Sequence, residues 1–185
     1  PALQGSADYA FSNGLSIGAW ASNVDFGYDA DIELDVYLNY VGKINDTFSW
    51  TGGFTYYSYP GSDDVGEYPE FYLGLNAGAF SFKQWYADKL YDGPNSALYS
   101  EANYTASVTD SFSLAFHAGY AWGDAWDSAE LFDYAVQANY VAGKFTLFAK
   151  FTGTDASGEE KFTSDENNNE PRFLVGVTTT LPWGK

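Results

Sequence analysis

Period-two alternation constrains this chain more than any other feature, and it recurs from end to end. In Asp31-Ile32-Glu33-Leu34-Asp35-Val36-Tyr37-Leu38-Asn39-Tyr40, the residues Ile32, Leu34, Val36, Leu38 and Tyr40 share one side, while Glu33, Asp35, Tyr37 and Asn39 share the other. Side chains alternate across an extended strand, so this stretch is a ribbon with one apolar and one polar face. Helical spacing would put Glu33 and Asp35 beside the apolar stripe and fits far worse. The runs Phe112 to Tyr120, Phe145 to Phe151 and Arg172 to Thr178 repeat the pattern. About eleven such segments, each roughly 9–13 residues long, lie near 2–11, 14–24, 31–42, 47–59, 67–76, 79–88, 96–108, 111–122, 130–141, 144–153 and 171–182. Strands in globular proteins usually have about 5–6 residues, whereas a tilted strand crossing a bilayer needs about 9–11. Length favours the membrane.

The connections alternate strictly. Ser12-Asn13-Gly14, the turn around Gly42 to Asp46, Asn76-Ala77-Gly78, Thr109-Asp110-Ser111 and Ala142-Gly143 are short; 24–30, 60–67, 88–96, 123–130 and 154–170 are long. Outer-membrane barrels have this order, with tight turns at one rim and longer loops at the other. The pattern predicts a single all-β domain over 1–185, an antiparallel up-and-down transmembrane β-barrel with essentially no helix. Single-chain bacterial barrels have even strand numbers with both ends on the short-turn side. The eleven segments here start on the long-loop side and finish on the short-turn side. Parity therefore predicts one further strand ahead of Pro1, and about twelve in the full protein.

Composition narrows the function. The formal charge is −17 from 25 acids and eight bases, yet aromatic residues make up 20% of the chain, which excludes an acidic disordered protein. Eight Lys and Arg are too few for a phosphate-binding surface, so nucleic acid is not an expected partner. Without cysteine there is no disulfide framework, thiolate nucleophile or zinc–thiolate site. No run of about 18 apolar residues exists to form a spanning helix. The opening at Pro1, without Met or a signal-peptide pattern, leads us to expect a processed or trimmed chain.

Eighteen of the 25 acids sit in or beside the long connections, Glu70 and Glu130 among them. Five others, Asp8, Glu33, Asp35, Glu101 and Asp133, fall on the polar side of segments, as do Lys83, Lys150, Arg172 and the single histidine, His117. The opposite side carries Leu, Ile, Val and Phe, with Gln84 as one blemish. A charge on the lipid face near mid-bilayer costs about 2–4 kcal/mol, which accounts for this sorting. Tyr40, Trp50, Tyr104, Tyr120, Trp122, Tyr134 and Tyr140 lie toward segment ends, where amphipathic rings suit the interface.

The polar-side residues are the functional candidates. They either line a water-filled lumen, biased toward cations by five acids against three bases, or form a paired network that plugs a narrow barrel. Barrels of about eight strands are filled by side chains and those of about sixteen hold channels; twelve lies between. Ser113 and His117 share a face, but four residues along a strand is about 13 Å, beyond a catalytic hydrogen bond, so no enzymatic role is expected. The loops Ser62 to Glu67 and Asp165 to Glu170 offer only oxygen ligands. Asp63, Asp64, Glu67, Asp165 and Glu166 are accordingly candidates for Ca²⁺, against the plainer alternative of a solvated loop, and neither loop has EF-hand spacing. No other cofactor is expected.

Several stretches resemble a known family. Pro1-Ala2-Leu3-Gln4-Gly5, Gly18 to Phe26, Asp31-Ile32-Glu33-Leu34-Asp35, Tyr56 to Gly61 and Pro69 to Leu75 are similar to the TorF porin family of proteobacteria, whose domain is called Gcw_chp. The resemblance implies an outer-membrane β-barrel with lipid and lipopolysaccharide around it and small solutes passing through it. It brings no substrate. The chain departs from the common terminal-aromatic pattern, since Gly184 and Lys185 follow Trp183. Two other functions stay open: a soluble ligand-binding barrel or sandwich, and a membrane barrel acting as adhesin, receptor or scaffold through its acidic loops.

Overall fold

The structure, a computed structural model, describes residues 2–25, 29–126, 130–157 and 171–181. Eleven strands follow one another: β1 Gln4–Ala10, β2 Leu15–Asn23, β3 Ile32–Lys43, β4 Phe48–Ser58, β5 Tyr68–Ala77, β6 Phe80–Ala87, β7 Ala97–Ser107, β8 Phe112–Trp122, β9 Glu130–Ala142, β10 Phe145–Ser157 and β11 Arg172–Thr179. They form one sheet in the order β1 to β11, each strand antiparallel to the next. This is the up-and-down antiparallel β-barrel fold that the alternation predicts, with β1 and β11 as the two ends of the order. Among the described residues the only helical pieces are single 3₁₀ turns at Leu90–Asp92 and Asp124–Trp126. Three strands are shorter than expected: β1 has seven residues, β6 and β11 eight each.

Burial is inverted relative to a soluble domain. On β3, Leu34, Val36 and Leu38 are 37%, 46% and 43% exposed, whereas Asp35 between them is only 7% exposed. Leu73, Leu75 and Val175 point outward in the same way. Among the described residues the buried apolar side chains are alanines and tyrosines, Ala30, Ala87, Ala97, Ala121, Ala135, Tyr59, Tyr68 and Tyr72. A soluble protein buries its Leu, Ile and Val, and a continuous apolar band of this extent marks a surface that meets an apolar medium. Gln84 does face outward, but it is satisfied: its Nε2 donates to the backbone oxygens of Trp85 and Tyr99 at 3.0 and 3.2 Å, and Ser100 Oγ donates to its Oε1 at 2.7 Å.

The two rims are built differently. At the short-turn rim, side chains close the hairpins: Asn45 Oδ1 accepts from the N–H groups of Thr47 and Phe48, both at 2.9 Å, and Thr109 Oγ1 accepts from Phe112 N–H at 3.0 Å. Gly78 and Gly143 carry positive φ in two-residue turns that a side chain would strain. At the other rim the long connections lie together. Ala30, Tyr59, Tyr68, Ala87 and Ala97 form a buried cluster there, and Val24, Tyr57, Val65, Leu90, Ala125 and Trp126 pack against it. Outward tyrosines there donate to acids near the rim: Tyr56 to Glu67 at 2.5 Å, Tyr86 to Asp88 at 3.1 Å, and Tyr120 to Glu130.

Asp29 clips the first loop to the second. Its carboxylate accepts from Ser62 Oγ at 2.5 Å, Asp63 N–H at 2.8 Å and Asp64 N–H at 3.4 Å. The Asp63 amide, and after it the Ser62 hydroxyl, hold the Asp29 carboxyl below its ordinary value of 3.8. A depressed folded value means the clip is fully present above the ordinary carboxylate range and is lost as pH falls through the lowered value. Amide exchange by NMR in micelles should therefore show Asp63 protection constant above about pH 5 and declining below about pH 4; Asp29→Asn should abolish that step.

Val136 and Gln137 are adjacent on β9 and face outward and inward respectively. Val136→Arg should destabilise the protein folded into vesicles by about 2–4 kcal/mol in a urea titration. Gln137→Arg should cost much less.

Candidate functional site

The inner face is organised by tyrosines that lie flat across glycines. Tyr37 on β3 crosses Gly18 on β2, and its hydroxyl donates to Asp8 on β1 at 2.5 Å. Tyr72 on β5 crosses Gly53 on β4 and donates to Asn39 on β3 at 2.8 Å. Tyr99 on β7 crosses Gly119 on β8 and donates to Asp133 on β9 at 3.0 Å. A Cβ at Gly18, Gly53 or Gly119 would sit 2.6 Å from the ring carbon Cζ of Tyr37, Tyr72 or Tyr99 respectively. Each unit thus spans three strands and needs a residue without a side chain in the middle.

Around the third unit the charged candidates converge. His117 Nδ1 donates to Asn103 Oδ1 at 2.7 Å, and Nε2 lies 2.8 Å from Asp133 Oδ1 and 3.0 Å from the Tyr99 hydroxyl. Asn103 Nδ2 donates to Glu101 Oε2 at 3.1 Å, and Trp85 Nε1 donates to Glu101 Oε1 at 2.9 Å. Lys83 Nζ, 3.9 Å from Glu101, rests over the rings of Tyr72 and Trp85 at 4.6 and 5.1 Å from their centroids. Such cation–π contacts contribute about 0.5–2 kcal/mol. The Lys150 charge acts on Asp133 from β10. Glu101, Asp133, His117 and Lys83 are therefore one half-buried network. Asp8 belongs to the first tyrosine unit. Arg172 on β11 is opposite Thr152, at an inward register position. Every bond named here joins residues no more than two strands apart, so the network follows the wall.

No serine hydroxyl is among these His117 partners; Ser113 instead accepts from Asn139 Nδ2 at 3.5 Å. Glu67 is engaged by Tyr56, and the backbone of Asp63 and Asp64 by Asp29. Among the described residues no three His, Cys, Asp or Glu side chains are grouped to hold a metal ion. Asp165 and Glu166 lie outside the described residues.

Glu70 escaped the sequence reasoning. Its position just after Pro69 groups it with the loop acids, but it lies on β5 at the inward parity of Tyr68 and Tyr72. Parity along Tyr68, Glu70, Tyr72 and Gly74 is the signal that finds it. With Glu33 and Asp35 on β3 it forms a second acidic group nearer the long-loop rim, beside Tyr57. Asp35 Oδ1 is buried without a hydrogen-bond partner.

Adding one methyl group beneath a tyrosine tests this construction. Gly119→Ala should destabilise the protein by about 1–3 kcal/mol, the usual cost of overpacking. In a Tyr99→Ala background the same change should cost much less, because the ring it strikes is gone. Urea titrations of the four proteins in vesicles measure the coupling.

Comparison with known proteins agrees with this architecture. A solved structure described as "NanC porin structure in rhombohedral crystal form" superposes with a TM-score of 0.75 over 97% of this chain and 93% of that one, at 15% sequence identity. At that identity the likeness establishes the fold alone. No curated protein matches the chain. A family model described as "Bacterial protein of unknown function (Gcw_chp)" matches residues 1–181, and the chain belongs to that family.

Proposed function

We propose that this protein is a porin-like channel of the bacterial outer membrane through which small hydrophilic solutes diffuse passively, with a weak preference for cations. The polar inner wall carries the proposal. Six inward acids, Asp8, Glu33, Asp35, Glu70, Glu101 and Asp133, stand against three inward bases, Lys83, Lys150 and Arg172. The network of Glu101, Asp133, His117 and Lys83 runs along the wall through near neighbours, and its side chains keep part of their surface exposed. The apolar outer face suits lipid and lipopolysaccharide, and the likeness to a barrel described as a porin supports the fold on which the channel depends. The TorF porin naming suggested by the sequence belongs to the same proposal.

The loop cluster favours a second function. Apolar residues of four long connections meet over the inner strand ends, and the loops beyond them are acidic. A barrel capped in this way would serve as an adhesin, receptor or scaffold without conducting.

Planar-bilayer recording separates the two. The channel gives discrete conductance steps with a reversal potential toward cation preference in low salt. That preference should shrink as salt rises, because screening limits the reach of the acids to about 8 Å at physiological ionic strength. Anion preference in low salt contradicts the cation assignment, and a folded barrel with no conductance at any salt favours the capped scaffold.

A further inference from the structure

We propose that Glu33, Asp35 and Glu70, together with the tyrosines beside them, form a binding station for an organic ammonium cation at the long-loop end of the lumen. The placement of this station on a solute path rests on the channel proposal above.

Register builds the site. Asp35 on β3 lies directly opposite Tyr57 on β4, and Tyr57 directly opposite Tyr68 on β5. Glu33 lies one inward position nearer the long-loop rim than Asp35, and Glu70 one inward position farther from it than Tyr68, each about 6.6 Å along its strand. Tyr57 stacks on Tyr68 at 4.9 Å between centroids, and Tyr91 meets the Tyr68 edge at 5.0 Å. The Tyr57 hydroxyl is within reach of the Glu70 carboxylate.

Asp35 is what asks for a ligand. It is 7% exposed, its Oδ1 has no hydrogen-bond partner, and the two charges that act on it, Glu33 and Glu70, are of its own sign. Burying a carboxylate without a partner is among the costlier arrangements a protein can hold. Lys83 is committed to Glu101, and Lys150 stands by Asp133. The three carboxylates are spread over β3 and β5 with Tyr57 between them, and no three are close enough to share a metal ion. That spacing suits a larger cation. Aromatic faces beside carboxylates attract alkylated ammonium groups through the ring quadrupole while the acids supply the counter-charge.

The test is choline binding to the folded protein in detergent by titration calorimetry, with 3,3-dimethyl-1-butanol as the uncharged isostere and potassium chloride at equal ionic strength as control. Saturable choline binding is expected, with none by the isostere. Asp35→Asn should weaken binding at least tenfold, Glu33→Gln should weaken it less, and Asp133→Asn should leave it unchanged. Heat-modifiable gel migration identifies variants that fold. Should Asp35→Asn fail to fold, Glu33→Gln carries the comparison. Equal binding of the isostere, no choline binding, or full affinity in the folded carboxamide variants overturns the station. Because binding is read in detergent, its loss in a conducting protein removes the station and spares the channel. Choline binding by a protein that does not conduct keeps the site and removes the channel.

Discussion

In hydrocarbon a backbone N–H or C=O has no water to fall back on, and each one left unpaired costs several kcal/mol. A strand in that medium must give its ladder to its neighbours, and here β2 to β10 each pair with the strand before and the strand after them in sequence. Once the backbone is committed sideways, side chains have only two directions to go. Leu34, Val36 and Leu38 go outward, and Glu33, Asp35, Tyr37 and Asn39 go inward. Among the described residues no buried core of Leu, Ile and Val is left to hold the fold, so the polar wall and the loop cluster take over that task.

The wall does this with groups that are half-buried, which raises the stakes of each bond. A hydrogen bond contributes about 0.5–1.5 kcal/mol net, but removing one partner and leaving the other buried costs about 1–3. Asp133 accepts from Tyr99 while facing His117 and Lys150, and Glu101 accepts from Trp85 and Asn103 while facing Lys83. Such residues couple: a change at one alters the cost of a change at the next. Asp35, with an unpartnered Oδ1 and only Glu33 and Glu70 as charged neighbours, lacks this reciprocity, so the inner face is satisfied around Asp133 and unsatisfied at Asp35.

Alternation alone discloses the strands, the two faces and the order of turns, because strand geometry forces period two whatever the partners are. It also puts Asp8, Glu33, Asp35, Glu101, His117 and Asp133 on the inner wall. Pairing is a different matter. Asp8 opposite Gly18 follows from a tight hairpin whose turn sets the register. Tyr37 opposite Gly18 is joined through a long connection whose path no local rule fixes. The tyrosine–glycine units therefore stay hidden in the sequence, although each of their residues is at a visible parity. Glu70 is hidden for a simpler reason: it lies beside a proline at the boundary where a loop becomes a strand. The packing of Val65, Leu90 and Trp126 is irregular and has no period to betray it.

The flat tyrosines bear on how wide such a barrel can be. A ring pointing toward the axis would occupy the bore, but one laid over a glycine becomes part of the wall and adds roughly its thickness. Tyr37, Tyr72 and Tyr99 are all disposed in this second way. The free cross-section then depends on three hydrogen atoms, those at the α-carbons of Gly18, Gly53 and Gly119, as well as on the number of strands. Adding a methyl group at one of them would tip a phenol inward like a valve flap. A single small substitution would thus narrow the bore at the expense of that tyrosine's hydrogen bond, while the ladder between the strands stays as it is.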